Sequence, residues 1–140
     1  MARTIEKNVG NALTKIEFKD SDGALLGWLE INLIDERFIG RLAGFAQYFR
    51  SYKEEGNDVK RERNLNQTVK ERFSELLGYQ CDETLFGRLN PLTVLENGET
   101  FIGVIMRTIT QEFIDEARRR MAAKTAAIRK HTEKYEHDSV

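Results

Sequence analysis

A chain of 140 residues, 32% of them charged and 40% hydrophobic, has the length of one domain with a real core, and its composition excludes disorder along the whole length. The formal net charge of −1 excludes a protein that coats nucleic acid with its whole surface, because neutralising phosphates takes a large basic excess on at least one face. The single cysteine excludes an intramolecular disulfide and a thiolate metal cage, which makes reducing cytoplasm the expected compartment.

The N-terminal stretch MARTIEKNVGNALTKIEF has no apolar run of signal-peptide length, and nowhere do about 18 apolar residues follow one another, so no membrane span is expected. TKIEFKD alternates, with Ile16 and Phe18 on one side and Lys15, Glu17 and Lys19 on the other, as a half-buried strand does. Asp20-Ser21-Asp22-Gly23 supplies the residues of a turn, and LLGWLEINL reads as the second strand of a hairpin. From Asp35, an N-cap candidate, the period changes: Phe38, Leu42, Phe45, Phe49 and Tyr52 recur at three- and four-residue steps along one helical stripe. KEEGNDVKRERN then reads as a solvated loop or a frayed helix end.

Asn64 with Gln67 resembles a capping box, and Leu65, Val69, Phe73, Leu76 and Leu77 form the apolar face of a helix that Gly78 stops. YQCDETLFGRLNPLTVLENGETF follows as a connector. In it Asp82 caps a short turn over Leu85 and Phe86 that Gly87 ends, and Asn97 prepares a helix beginning near Gly98. That helix carries Phe101, Ile102, Ile105, Ile109, Phe113, Ala117 and Met121, a face widened by Val104, Met106 and Ile114. The resulting fold class is α+β, mainly α: an N-terminal β-hairpin, a bundle of three to four helices and a basic C-terminal helical tail. A single globular domain is expected over 1–121, with the hairpin at about 14–33 and helices at about 35–54, 64–77 and 98–121. Residues 122–140 form a basic helical extension and a flexible end.

The candidates for chemistry are few. Cys81 beside Asp82 lacks a base, since the only histidines, His131 and His137, fall in the tail, and a small half-buried thiol at a turn accounts for it. The same histidines, six residues apart, face away from each other on a helix and make no metal pair, and no cofactor is expected. DSDG fails as a calcium loop, because with Gly23 in the sixth place the first and twelfth ligands would be Phe18 and Leu29. Gly40 and Gly44 are a weak packing signal for a close helix neighbour. The basic run Arg118, Arg119, Arg120, Lys124, Arg129, Lys130 and Lys134 suits a solvated helix face, an acidic protein partner or, least well for want of aromatic stacking partners, nucleic acid.

In order, the hairpin KIEFKDSDGALLGWLEINL, the aromatic helix DERFIGRLAGFAQYF, a leucine-rich helix, LFGRLNPLTVLENGETFIGVIMRTI and the tail AIRKHTEKYEHD give a chain that resembles the small tail assembly chaperones of long-tailed bacteriophages and prophages of Gram-positive bacteria. Leu85-Phe86-Gly87, Asn90-Pro91, the acidic helix start near Glu99 and Lys130 to Tyr135 carry the resemblance. It implies a non-enzymatic protein of the host bacterial cytoplasm that binds the helical tape measure protein and keeps it soluble while tail tube protein polymerises around it. In many such phages a translational frameshift yields a longer form that recruits the tube protein. Phe38, Leu42, Phe45 and Phe49 are then the expected client contacts, partly exposed in the isolated chain, with Leu85 and Phe86 contacting core or client, and a homo-oligomer is compatible. Two other functions fit the same residues: a structural tail or connector protein, and a small nucleic-acid-associated regulator acting through the basic tail.

Overall fold

The computed structural model of the chain describes residues 13–53 and 59–138. The N-terminal leader, the Gly56-Asn57 connector and the side chains of Tyr52, Lys134, Tyr135 and His137 lie outside the described residues. Strands β1 (Leu13–Lys19) and β2 (Leu25–Asn32) precede helices α1 (Glu36–Lys53), α2 (Val59–Leu77), α3 (Asp82–Phe86) and α4 (Phe101–Asp138).

The hairpin forms for the reasons its residues suggest. Asp20 accepts the backbone N–H groups of Asp22 and Ala24 on one carboxylate oxygen, both at 2.9 Å, and Gly23 takes a φ of 83°. Antiparallel pairing runs from Leu13 opposite Asn32 to Phe18 opposite Gly27, after which Lys19 pairs with Leu25 and leaves Leu26 as an extra residue. Phe18, Leu29 and Ile31 point into the core while Lys15 lies outside, its ammonium 4.6 Å from the Trp28 ring centre. Among the described residues the sheet has two strands, and its apolar face must be covered by helices to be stable.

Asp35 caps α1 as expected, its carboxylate accepting the Arg37 N–H at 3.1 Å. The start of α2 differs from the expectation. The helix begins at Val59, so Asn64 is helix interior whose carbonyl accepts the Thr68 hydroxyl, and Gln67 reaches forward to Glu71. Val59 and the four charged residues after it, without an apolar periodicity, are helical there because they extend a helix already anchored by Val69, Phe73 and Leu76. Gly78 ends α2 at a φ of 82°, its N–H bonded to the Ser74 carbonyl.

In α3 the N-cap is Cys81 rather than Asp82, which sits one residue inside the helix, and Gly87 follows in right-handed helical conformation. The connector between α3 and α4 is tied down by its own backbone. Asn66 of α2 accepts the Leu92 N–H at 2.9 Å, Asn97 accepts that of Glu99, and Val94 bridges Thr100. Helix α4 begins at Phe101, later than Gly98, because Thr100 caps it by accepting the Gly103 N–H, while the first helical N–H groups are taken by the carbonyls of Thr93 and Pro91. It then continues without a break through Asp138, 38 residues in all, so the body helix and the tail helix are one element.

The core joins all six elements. Five phenylalanine rings, each from a different element, touch in series: Phe45 to Phe73 at 5.5 Å, Phe73 to Phe86 at 6.1 Å, Phe86 to Phe101 at 6.0 Å and Phe101 to Phe18 at 5.9 Å, all edge to face. A separate stacked pair, Phe38 and Phe113 at 5.4 Å, fixes α1 against α4. The Tyr79 hydroxyl accepts the Glu30 N–H at 2.7 Å and so ties the end of α2 to β2. Gly27 permits β2 to lie against α3, because a Cβ there would collide with the Leu85 carbonyl oxygen.

Replacing Gly27 by Ala should therefore destabilise the chain by roughly 1–3 kcal/mol, since backbone rather than a flexible side chain must give way. Phe86→Ala should cost about 3–5 kcal/mol, because it opens a cavity and interrupts the ring series at its centre. Both are read from urea midpoints at constant slope; an unchanged midpoint in Gly27→Ala would show that the approach of β2 to α3 is not a constraint.

Candidate functional site

The aromatic stripe of α1 lies inward. Phe38, Leu42 and Phe45 are between 5% and 7% exposed, Leu85 and Phe86 of α3 are 0% and 4% exposed, and Phe49 is half-buried against the same core. Phe38, Leu42 and Phe45, expected to be partly exposed as client contacts, are corrected to core residues, and of the two expectations for Leu85 and Phe86 the structure has contact with the core. Their rings and branches are covered by α2, α4 and the hairpin, which need this apolar surface to be stable at all.

The accessible apolar surface lies one residue further along. Ile39, Ala43 and Ala46 repeat the steps of four and three made by Phe38, Leu42 and Phe45, which places them on a shoulder of α1 about 100° around the helix. Helix α4 does the same: beside its core face of Ile105, Ile109 and Phe113 runs a shoulder of Met106, Thr110, Ile114 and Ala117. The two shoulders face each other across an open groove of about 360 Å³, floored by Leu42 and Phe113 and lined almost wholly by apolar atoms. Ile39 is 49% and Ile114 41% exposed on its rims. The sequence pattern that identifies this groove is a second stripe offset by one residue from each core stripe.

A smaller cleft of about 230 Å³ between α1 and α2 has a mixed lining, with the Arg72 guanidinium 3.7 Å from the Tyr48 ring centre and Arg41 and Glu75 beside it. Gly44 lines it. A Cβ at Gly40 or Gly44 would meet nothing within 4 Å, so the expectation of a close helix neighbour at these glycines is corrected: both are exposed.

Cys81 is fully buried, with its Sγ 3.2 Å from the Ser74 hydroxyl, and the same hydroxyl accepts the Cys81 N–H. Burial pushes its thiol pKa up, only partly opposed by the Ser74 hydrogen bond, and the Asp82 charge pushes the same way. That environment is the reverse of the electropositive, accessible setting that makes a thiolate nucleophile. His131 stands exposed on α4, and among the described residues no group of three or more His, Cys, Asp or Glu side chains is placed to hold a metal ion.

Beyond Ala117 every described side chain of α4 up to Glu133 is exposed, so this half of the helix projects from the body. Arg118, Arg119, Arg120, Lys124, Arg129 and Lys130 are distributed over about 240° of its circumference at 100° per residue, and Arg119 and Arg120 both bind Glu116, at 2.6 and 3.0 Å. The cations are thus spread over a broad arc of the helix and not gathered into one narrow stripe. Among the described residues no helix is long and apolar enough to cross a membrane.

No family model, no curated protein and no solved structure matches the chain.

The Cys81 environment makes two measurable statements. In the native protein the thiol should react with an aromatic disulfide reagent only as fast as the chain unfolds. Because the folded thiol holds its proton where the unfolded one releases it, Cys81 contributes stability that is complete below about pH 8.5 and is lost as pH rises through the folded value. The urea midpoint should fall on the alkaline side. Cys81→Ala should flatten that fall in part, with Tyr79, also raised by burial, supplying the remainder at higher pH.

Proposed function

We propose that this chain is a non-catalytic assembly chaperone that holds an apolar helix of a client protein in the groove between α1 and α4. In line with the resemblance to phage tail assembly chaperones, the client is the tape measure protein, the next partner is the tail tube protein, and the compartment is the host bacterial cytoplasm.

One observation carries the reading: in a chain with 32% charged residues, the α1 and α4 shoulders form a continuous apolar groove that the described elements leave open. Its width is bounded by two roughly facing helices, which suits a third helix presenting residues at three- and four-residue steps. Ala43, Ala46 and Ala117 keep the walls low, and Ile39 and Ile114 supply the rims. Each large client side chain removed from water there gains about 1.5–3 kcal/mol, enough to mask an insoluble helix yet to release it when a growing tube competes. Binding and release are reversible burial with no covalent step.

Ile39→Glu and Ile114→Glu test this directly. Both side chains are exposed at the rim, so folding stability should change by no more than about 0.5 kcal/mol, while affinity for purified tape measure protein should drop at least about tenfold in calorimetry. Unchanged affinity in both variants, or no binding by the parent chain, overturns the proposal. A fixed copy number of this chain in purified particles would favour the structural tail or connector function instead.

A further inference from the structure

We propose that the client helix seated in the α1–α4 groove runs on past α1 along the projecting half of α4, and that this outer part of the client is an amphipathic helix with acidic residues on both sides of its apolar stripe. The inference rests on the groove reading and adds to it the reach and the charge of the client.

The first ground is continuity. The α4 wall of the groove, Met106, Thr110, Ile114 and Ala117, is the inner end of a stripe that goes on through Met121, Thr125 and Ile128 at steps of four, four and three. Six steps from Met106 to Ile128 keep close to the 3.6-residue repeat, so the stripe stays on one side of a straight helix for about 33 Å. Phe38, in the first turn of α1, stacks on Phe113, and every described side chain from Arg118 to Glu133 is exposed, so the groove loses its α1 wall there while the α4 stripe continues. Met121 is 62% and Ile128 57% exposed. Between them Thr125 donates its hydroxyl to the Met121 carbonyl at 3.0 Å, which satisfies the hydrogen within the helix and leaves the methyl group to pack. A helix lying in the groove along α4 therefore keeps an apolar surface beneath it after it leaves α1.

Charge gives the chemistry of that outer part. At 100° per residue, Arg118 and Arg129 lie roughly 60° and 80° to one side of Met121, and Lys124 and Arg120 roughly 60° and 100° to the other. The acids of this stretch lie further round, Asp115 and Glu133 at about 120° and Glu116 at about 140°. Glu116 holds Arg119 and Arg120, and Asp115 accepts the Gln111 amide at 2.9 Å. Among the described residues Arg118, Lys124 and Arg129 make no ion pair. Inside the groove the lining carries no charge, and Arg107 beside its α4 wall is held by Glu99 at 3.0 Å. The client thus meets apolar walls first and a cation-bordered stripe beyond them.

A narrow stripe with unpaired cations on both borders suits a helix that carries Asp or Glu at the matching flanks, as charge-matched helix pairs do. A second copy of the chain brings the same cations on both borders and sets like charge against like in either direction. An anionic bilayer takes a helix with a broad apolar face rich in Trp, Phe or Leu, whereas Met121 and Ile128 are the large members of this one.

Calorimetry of the full chain with three synthetic helical peptides tests the inference. Each peptide has about 25 residues with leucine at three- and four-residue steps, glutamine flanks over one half, and glutamate, glutamine or lysine flanks over the other. The glutamate peptide should bind at least about tenfold more tightly than the glutamine peptide, with the lysine peptide weakest, and its advantage should shrink as salt is raised. Arg118→Glu combined with Arg129→Glu should reverse the order, and Met121→Glu should weaken the glutamate peptide at least about tenfold, both at an unchanged melting temperature. Ile39→Glu should weaken all three. Equal affinity for the glutamate and glutamine peptides, or full affinity in Met121→Glu, overturns the extension while loss in Ile39→Glu still upholds the groove. Binding that survives Ile39→Glu, or no binding of any peptide by the parent, removes the groove reading and this inference with it. Tighter association with phosphatidylglycerol vesicles or duplex DNA than with the glutamate peptide, or a parent dimer that Met121→Glu dissolves, gives the stripe to another occupant and overturns the proposal.

Discussion

The structure depends on a series of phenylalanine rings that runs from α1 to β1 through α2, α3 and α4. Each edge-to-face pair adds about 0.5–1.5 kcal/mol beyond the burial of its rings, but the topological effect is larger than the sum. A two-stranded hairpin and a five-residue helix have no stability of their own. Phe18 and Phe86 are the side chains through which these small elements join the ring series that α2 and α4 anchor. Gly27 completes the arrangement, since only a residue without a side chain lets β2 come close enough to α3 for Leu29, Leu85 and Phe86 to share one core.

The groove follows from how that core is filled. Once Phe38 and Phe113 stack, α1 and α4 are held at the separation set by two aromatic rings, and the next residues around each helix cannot also meet. The space between Ile39 and Ile114 is thus the outer margin of a core whose thickness is fixed by its aromatic floor. Core and groove are one piece of geometry, which explains why the groove-lining residues and the structural residues alternate so closely along α1.

Much of the architecture was legible in the sequence. The period-2 alternation around Ile16 and Phe18, the DSDG turn, the Asp35 cap and the Gly78 stop are local devices, and each is found where its chemistry requires. What local pattern does not contain is the sum of apolar surface that other elements demand. Four aromatics on one helix looked like more than a small core needs, yet a hairpin, α3 and the start of α4 all require cover, and Phe38, Leu42 and Phe45 are used to supply it. The shoulder of α1 was visible as Ile39, Ala43 and Ala46, but alanine gives little contrast against a neighbouring phenylalanine. The Thr100 cap was obscured by Asn97-Gly98, whose turn residues are equally good punctuation three positions earlier. Helix α2 begins ahead of its apolar face because propagation from an anchored helix needs no hydrophobic period.

Helix α4 is held by the core over its first turns and stands in solvent from Arg118 to Glu133. A free peptide with the sequence of its outer half would have to nucleate, which at a nucleation constant near 10⁻³ is a handicap of about 4 kcal/mol. Here the buried turns around Ile105 and Ile109 serve as the nucleus, and the solvent-exposed turns only propagate. Whatever meets the outer half of α4 therefore encounters a segment whose ordering entropy was already lost when the core formed, and the association free energy needed to hold it is correspondingly small.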